Sequence, residues 1–266
     1  MSLSRSLDPY LPGSSLVHRL DPRVKVGWAL GFILTVALTP PDAWPVGILL
    51  VAIAAAVAIL AEMPAGVVLR RAAMATPFAF SALPLLFTVS GHELWTLPWG
   101  WTLTYEGVVR CAGVVMKSWL SVIMAGILTA TTRMPVLLGA LRALGVPRLL
   151  VATVSLMWRY LFVLVAEAGR LMHARSARSA SSPRPGLRAG GSMTWRAKVT
   201  GGMAGSLFLR ALARADRTYA AMVARGYDGD IRTLQLTPLT LHERISITVG
   251  LAGLGTVASL GLLFWG

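Results

Sequence analysis

The sequence is poor in cysteine and in acidic side chains. It contains one cysteine, Cys111, and only 11 Asp and Glu residues against 25 Lys and Arg residues in a chain of 266. A single cysteine excludes an intramolecular disulfide and any metal site built from several cysteines. The four histidines are scattered over different segments and lack the His-Glu-x-x-His spacing of zinc enzymes. We therefore expect neither redox chemistry nor a resident metal.

Two catalytic motifs are also missing. The sequence has no Gly-x-x-x-x-Gly-Lys-Ser/Thr phosphate-binding loop and no Gly-x-Ser-x-Gly nucleophile elbow. Any ATP hydrolysis on which the chain depends must therefore be carried out by partner chains. We expect a protein that is not an enzyme, binds no cofactor and has no catalytic residue.

The composition is typical of a chain that is solvated largely by lipid. Hydrophobic residues make up 55% of the sequence and charged residues 14%, and the mean hydropathy is +0.66. Five apolar stretches approach the roughly 20 residues that a helix needs to cross a bilayer; they cover residues 26–41, 43–61, 72–90, 108–132 and 245–265. Pro77 and Pro84 interrupt the third stretch and favour a kinked or partial span. The sequence predicts an all-α integral membrane protein with about five transmembrane helices.

Most of the positive charge lies in one region. Seventeen of the 25 Lys and Arg residues fall between Arg133 and Arg244, where only five Asp and Glu residues oppose them. Because basic loops tend to stay in the cytoplasm, we expect residues 133–243 and the N-terminus to be cytoplasmic. Residues 1–132 then form a membrane bundle, and residues 244–266 the last transmembrane helix, of a multi-pass protein in the inner (plasma) membrane.

Two helices are predicted inside the basic region, over about 149–179 and 206–225. A segment near 180–196 that is rich in Ser, Pro and Gly is typical of a flexible loop and separates them. Residues 149–166 are apolar enough to span a membrane, but Arg159 lies near their middle. We place this first helix at the cytoplasmic edge of the bundle.

The two predicted helices end alike, with Ala177-Arg178-Ser179 on the first and Ala224-Arg225-Gly226 on the second. A planar guanidinium between small side chains suits insertion into a groove of another protein. Gly226 also suits the position just after a helix, where a residue in the left-handed conformation commonly terminates it. On the first helix, Ala174-Arg175-Ser176 repeats the pattern one turn earlier and leaves a second register open.

A stripe of arginines runs along the second helix. Arg210, Arg214, Arg217 and Arg225 fall on one face, apart from the apolar face. Such a stripe is usually a solvated surface or is attracted to anionic lipid headgroups. Few aromatic residues lie between the arginines, so we expect the lipid bilayer and not nucleic acid as a partner.

Four segments resemble the transmembrane T component of energy-coupling factor (ECF) transporters, and in particular its cobalt-type, CbiQ-like branch. They are residues 15–25 (Ser-Leu-Val-His-Arg-Leu-Asp-Pro-Arg-Val-Lys), 158–164 (Trp-Arg-Tyr-Leu-Phe-Val-Leu), 174–179 (Ala-Arg-Ser-Ala-Arg-Ser) and 207–229, which opens with Leu-Phe-Leu-Arg and closes with Ala-Met-Val-Ala-Arg-Gly-Tyr-Asp-Gly. The resemblance extends over nearly the whole chain, and the last segment is the most specific.

The resemblance implies a role for each helix end. In that family two Ala-Arg-Gly or Ala-Arg-Ser signatures end cytoplasmic coupling helices, and each arginine docks into one of two ATP-binding-cassette ATPase subunits. Carried over, these roles fall on Arg178 and Arg225, with Arg175 as the alternative for the first. The implied partners are the two ATPases, a substrate-specific membrane subunit of the metal-binding type and a small accessory membrane subunit.

The implied function is ATP-driven import, in which this chain transmits the movement of the ATPases to the substrate-binding subunit. In this family another chain selects the substrate, so the sequence of this chain does not specify it. The resemblance to the cobalt-type branch makes cobalt the first expectation, followed by nickel and then a vitamin. Two alternatives stay open: a stand-alone secondary transporter, for which we find no internal repeat, and an intramembrane enzyme acting on lipid-linked phosphates, for which we find no acidic cluster.

Overall fold

The structure is a computed structural model that describes residues 10–96, 102–178, 192–229 and 238–265. Within these ranges the regular elements are helices, apart from one two-stranded antiparallel sheet. The elements in chain order are α1 Leu16–Arg19, α2 Pro22–Leu38, α3 Trp44–Leu60, α4 Ala65–Ala73, α5 Thr76–Ala82, α6 Leu85–Thr88, β1 Glu93–Thr96, β2 Thr102–Thr104, α7 Tyr105–Thr131, α8 Met134–Ala143, α9 Arg148–Arg178, α10 Met193–Ala224 and α11 Leu241–Trp265.

The chain divides into two compact units. Residues 145–178 and 192–229 form one, and the described residues of 10–144 and 238–265 form the other. We name the described part of the first the two-helix unit, because it contains α9 and α10, and the described part of the second the bundle unit.

Three helices in the described part of the chain are long and apolar enough to cross a membrane. They are α7, α9 and α11, with 27, 31 and 25 residues. The first two predicted spans correspond to α2 and α3, which have 17 residues each and so fall short of the usual length. The prediction of an all-α membrane protein is confirmed. By length and composition α9 qualifies as a span as well, so its placement at the cytoplasmic edge stays a prediction.

The third apolar stretch does not form a continuous helix. Residues 72–90 contain the end of α4 and two short helices, α5 and α6, and all three helices pack against α7. Pro77 lies in the first turn of α5, and Pro84 immediately precedes α6. Proline removes a backbone donor and clashes with the preceding turn, so each proline starts a new helix where the sequence continues to be apolar.

Residues 91–106, between the third and fourth predicted spans, contain the small sheet. Thr96 pairs with Thr102 at one end of the two strands, and Glu93 pairs with Thr104 at the other. The segment 97–101, with two of its tryptophans, lies outside the described residues. Tyr105 begins α7, and its N–H donates to the carbonyl oxygen of His92 over 2.9 Å, which joins the sheet to the helix.

The core of the bundle unit forms where α2 faces α3 and α7. Its largest fully buried side chains include Phe32 and Val36 of α2 and Leu50 of α3, and Leu120 and Met124 of α7 complete the cluster. The spacing of four residues between Phe32 and Val36 places both on one face of α2. Buried apolar contacts of this kind hold membrane helices together by close van der Waals packing.

Helix α2 also packs closely against α11. A Cβ added at Gly250 would lie 2.5 Å from the indole ring of Trp28, so the ring occupies the space that the glycine leaves open. The indole nitrogen of Trp28 donates to the carbonyl oxygen of Ser246 over 3.1 Å. Small residues at such positions let membrane helices approach each other closely.

A buried lysine joins the start of α2 to the end of α7. Lys25 is only 7% exposed, and its Nζ donates to the carbonyl oxygens of His18 at 3.1 Å and Thr131 at 3.2 Å. The last carbonyls of a helix have no partner within the helix itself. Lys25 therefore caps the C-terminal end of α7 while it fixes the segment that leads into α2.

Replacing Lys25 by Met should destabilise the bundle unit. The substitution keeps the length of the side chain but leaves two carbonyl oxygens without their donor, at a cost of about 1–3 kcal/mol. We expect a lower midpoint of thermal unfolding for the purified chain in detergent. The control is Arg19→Met, because Arg19 is exposed and no described residue bonds its side chain. Equal midpoints for Lys25→Met and wild type would contradict this assignment.

Replacing Gly107 by Ala should disturb the contact between α6 and α7. A Cβ at Gly107 would lie 2.8 Å and 2.9 Å from the carbonyl oxygens of Leu85 and Leu86, which are backbone atoms that cannot rotate away. We expect destabilisation by about 1–3 kcal/mol. Gly27→Ala is the matched control, because a Cβ added there would meet nothing within 4 Å, and it should be neutral or slightly stabilising. Thermal unfolding in detergent compares the two variants, and equal effects would refute the steric argument.

Candidate functional site

Helices α9 and α10 lie antiparallel in the two-helix unit. Three side-chain bridges join them: Tyr160 donates to Thr218 over 3.1 Å, Arg210 to Glu167 over 2.8 Å, and Arg175 to Thr200 over 2.8 Å. The partners on α10 move towards its N-terminus as those on α9 move towards its C-terminus. The C-terminal ends of the two helices therefore lie at opposite ends of the pair.

This arrangement separates Arg178 from Arg225. Arg178 lies three residues beyond Arg175, which bonds Thr200 near the start of α10, whereas Arg225 immediately follows the end of α10. Arg178 therefore lies beside the first turns of α10, and about 28 residues of that helix separate this position from Arg225. At about 1.5 Å per residue, the two arginines are on the order of 40 Å apart. One helix pair thus presents two arginines at well-separated positions.

The end of α10 is fixed by backbone hydrogen bonds. Gly226 has φ +80°, a left-handed conformation that side chains rarely adopt, which confirms its predicted role as the terminating residue. The N–H of Tyr227 donates to the carbonyl oxygen of Met222 over 3.0 Å, and the N–H of Gly226 donates to that of Val223 over 2.9 Å. These two bonds form a Schellman motif. Arg225 therefore stands at a defined, rigid helix end.

Both predicted arginines are exposed at the surface of the two-helix unit. Arg178 and Arg225 are exposed, as are Ala177 and Ala224 beside them. No described residue makes a hydrogen bond or ion pair with either guanidinium. Ser179, the last member of the first triplet, lies outside the described residues. A free guanidinium between small side chains is available for a carboxylate or backbone carbonyls of another protein.

Arg175 and Arg178 differ in their surroundings. Arg175 is half-buried and donates to Thr200, whereas Arg178 is exposed and ends α9. An arginine that already bonds the neighbouring helix has to give up that bond before it can insert into another protein. The geometry therefore favours the register in which Arg178 is the projecting residue.

Helix α10 is longer than predicted. It begins at Met193, whereas the sequence predicted a start near residue 206. Residues 193–196, which were expected in the flexible loop, are therefore helical. The side chain of Ser192 accepts from the N–H of Trp195 over 3.3 Å and caps the first turn. Three glycines at 201, 202 and 205 lower the helix propensity here and account for the underestimate.

The bridges between α9 and α10 were missed by the sequence analysis. Their partners are separated by 25 to 58 positions, as the pairs Arg175 with Thr200 and Tyr160 with Thr218 illustrate. No periodicity within a single helix indicates such pairs. Glu167 gives the only usable signal, because it is an isolated carboxylate in a strongly basic region.

Among the residues that the structure describes, no group of three or more His, Cys, Asp and Glu side chains is placed to hold a metal ion. The polar side chains that join α9 to α10 are guanidinium groups, hydroxyl groups and one carboxylate, that of Glu167. Such a set of groups can bind anions and proteins.

Comparison with known proteins places the chain in a family. The family model for CbiQ, cobalt transport protein, matches residues 13–235. The chain is 29% identical to the energy-coupling factor transporter transmembrane protein EcfT of Acidaminococcus fermentans, over 98% of this chain and 97% of the relative. Proteins of the same name from Brevibacillus brevis and Ruminiclostridium cellulolyticum are each 28% identical, over 91% and 84% of this chain and 92% and 84% of the relatives.

These matches confirm the resemblance that the four sequence segments carry. They also cover the full extent of α9 and α10, so the helix pair with its two projecting arginines lies within the matched region. The chain therefore belongs to the CbiQ family of cobalt transport proteins and is a membrane protein.

Proposed function

We propose that the chain is the transmembrane coupling subunit of an ECF-type importer. It transmits the conformational change of two ATP-binding-cassette ATPases to a separate membrane subunit that binds the substrate. The names of its relatives support membership of a multi-subunit transporter of this kind. ATP is bound and hydrolysed by the ATPases, so this chain has no catalytic residue of its own.

The helix pair provides the observation on which the proposal rests. Arg178 and Arg225 are exposed, lack described partners and lie at opposite ends of two helices that three side-chain bridges connect. Two sites on the order of 40 Å apart suit two ATPase subunits, one for each arginine. Because the bridges join the helices, displacement of one end is passed to the other.

Coupling requires that the arginines contact the two states of the ATPases differently. A subunit that binds both states equally tightly would transmit no free energy. Deep insertion of an arginine into a groove can contribute about 2 kcal/mol or more, so a change of groove shape provides a sufficient difference. Movement of Arg178 relative to Arg225 would then tilt the helix pair.

The proposal includes a location and a set of partners. We place the chain in the inner (plasma) membrane, and the positive-inside tendency favours an orientation with the N-terminus and residues 133–243 in the cytoplasm. The partners are the two ATPases, the substrate-specific subunit, a small accessory membrane subunit and the lipid bilayer. Cobalt is the first candidate substrate, since the matching family model is described as a cobalt transport protein; nickel and a vitamin follow.

Replacing Arg178 and Arg225 together by Ala should abolish ATP-dependent uptake in the reconstituted transporter. Loss of each inserted guanidinium weakens ATPase binding by about 2 kcal/mol, or roughly 30-fold. Copurification of the ATPases with the variant should fall in parallel, while its thermal unfolding stays unchanged because both side chains are exposed.

Arg175→Ala is the matched control for Arg178. It removes the same charge one turn earlier and breaks only the bond to Thr200, so uptake should largely remain. Loss of uptake in Arg175→Ala with full uptake in Arg178→Ala would reverse the register. Normal uptake in the double variant would refute the coupling role.

Replacing Gly226 by Ala should impair coupling without touching either arginine. A residue with a Cβ at φ +80° is strained by roughly 1 kcal/mol or more, which favours an alternative end to α10 and displaces Arg225. We expect reduced uptake at normal expression, and Gly226→Asn should recover part of it because asparagine tolerates this conformation. Wild-type uptake in Gly226→Ala would indicate that the helix end need not be rigid.

A further inference from the structure

A groove lies between α9 and α10 at the middle of the helix pair. Its volume is about 340 Å³, within the range of small-molecule sites. One part of its lining is apolar and includes Val163, Leu164 and Leu207; the other carries the guanidinium groups of Arg210, Arg214 and Arg217. The arginine stripe of α10 is therefore the polar wall of a cavity. The two projecting arginines at the helix ends do not line it.

The three arginines of the groove are not equivalent. Arg210 donates to Glu167 over 2.8 Å, and Glu167 also accepts from Arg170, so Arg210 already has a carboxylate partner within the protein. No described residue makes a hydrogen bond or ion pair with the side chains of Arg214 and Arg217. The groove thus presents two guanidinium groups that no described carboxylate pairs, and Asp216 of the same helix does not line it.

The spacing of Arg214 and Arg217 suits a single anion. Residues three positions apart on a helix have Cβ atoms about 5–6 Å apart, so both guanidinium groups can reach one tetrahedral group. Guanidinium groups bind phosphate oxygens through parallel N–H donors, which is a strong, charge-assisted arrangement. A phosphate group is therefore the best match to the polar wall.

The apolar wall indicates where that phosphate comes from. Residues 149–166 of α9 contain one charged residue, and from Glu167 onwards charged residues are frequent, so Val163, Leu164 and Glu167 lie where the helix changes from apolar to polar. For a helix at the cytoplasmic edge of a membrane protein, such a change suits contact with the headgroup layer. Exposed apolar side chains such as Leu149 and Met157 of α9 are also suited to lipid.

We propose that this groove binds one anionic phospholipid. Its phosphate lies between Arg214 and Arg217, and its glycerol and first acyl carbons contact Val163, Leu164 and Leu207. The bound lipid fills the space between α9 and α10 and adds a connection to those made by the three side-chain bridges. The inference is independent of the proposed coupling role of Arg178 and Arg225.

Native mass spectrometry of the full-length chain, delipidated in detergent, tests the proposal. Dioleoyl-phosphatidylglycerol should be retained as one tightly bound molecule, and dioleoyl-phosphatidylcholine should bind more weakly. Arg214→Gln combined with Arg217→Gln should weaken phosphatidylglycerol binding on the order of 25-fold, because each arginine contributes about fivefold. Equal binding of both lipids by the wild-type chain, or unchanged affinity of the double variant, would overturn the proposal.

Two further variants separate a defined site from general charge attraction. Arg148→Gln with Lys198→Gln removes the same charge from the same helix pair at exposed positions that do not line the groove, and it should bind phosphatidylglycerol like the wild type. Ala213→Phe fills the groove from an exposed position and keeps every charge, so it should reduce binding. An equal loss in the Arg148/Lys198 variant would refute a specific site.

Inorganic phosphate distinguishes the two sources of the anion. If the groove is a lipid site, millimolar phosphate should leave phosphatidylglycerol bound, because phosphate makes no apolar contacts. Displacement of the lipid by phosphate at such concentrations would overturn the lipid assignment and indicate a site for a soluble phosphate.

Discussion

The antiparallel pairing of α9 and α10 is the constraint on which the proposed function depends. Three side-chain bridges, at Tyr160, Glu167 and Arg175, join the two helices, and Ala152 is the one buried residue among the described residues of the pair. Exposed polar bridges are individually weak, usually worth about 1 kcal/mol or less. The bridges therefore fix the antiparallel orientation of the two helices without packing them rigidly against each other. Such a pair can tilt or shear without breaking a hydrophobic core, as a coupling element must.

Much of the fold could be predicted because its signals are local. Apolar stretches located α2, α3, α7 and α11, and the Ala-Arg-Gly triplet with its glycine located the end of α10. The prolines at 77 and 84 predicted an interruption of the apolar stretch 72–90. They did not predict that this stretch would form separate short helices along α7. That outcome depends on close backbone contacts such as the one at Gly107, which no pattern within the stretch specifies.

The candidate site was only half predictable for the same reason. The sequence placed arginines at two helix ends, yet their separation follows from which residue of α9 faces which residue of α10. Pairs such as Glu167 with Arg210 are distant in the chain and carry no spacing signal. The choice between Arg175 and Arg178 likewise needed a neighbouring helix, since Thr200 is what engages Arg175.

The hydrogen bonds that close α10 have a consequence for how the family can vary. Tyr227 and Gly226 bond back to Met222 and Val223, so the direction of Arg225 is determined within six consecutive residues. Evolution can lengthen, shorten or rewrite the connection to α11 without moving the arginine, and an engineer can insert a reporter peptide there on the same grounds.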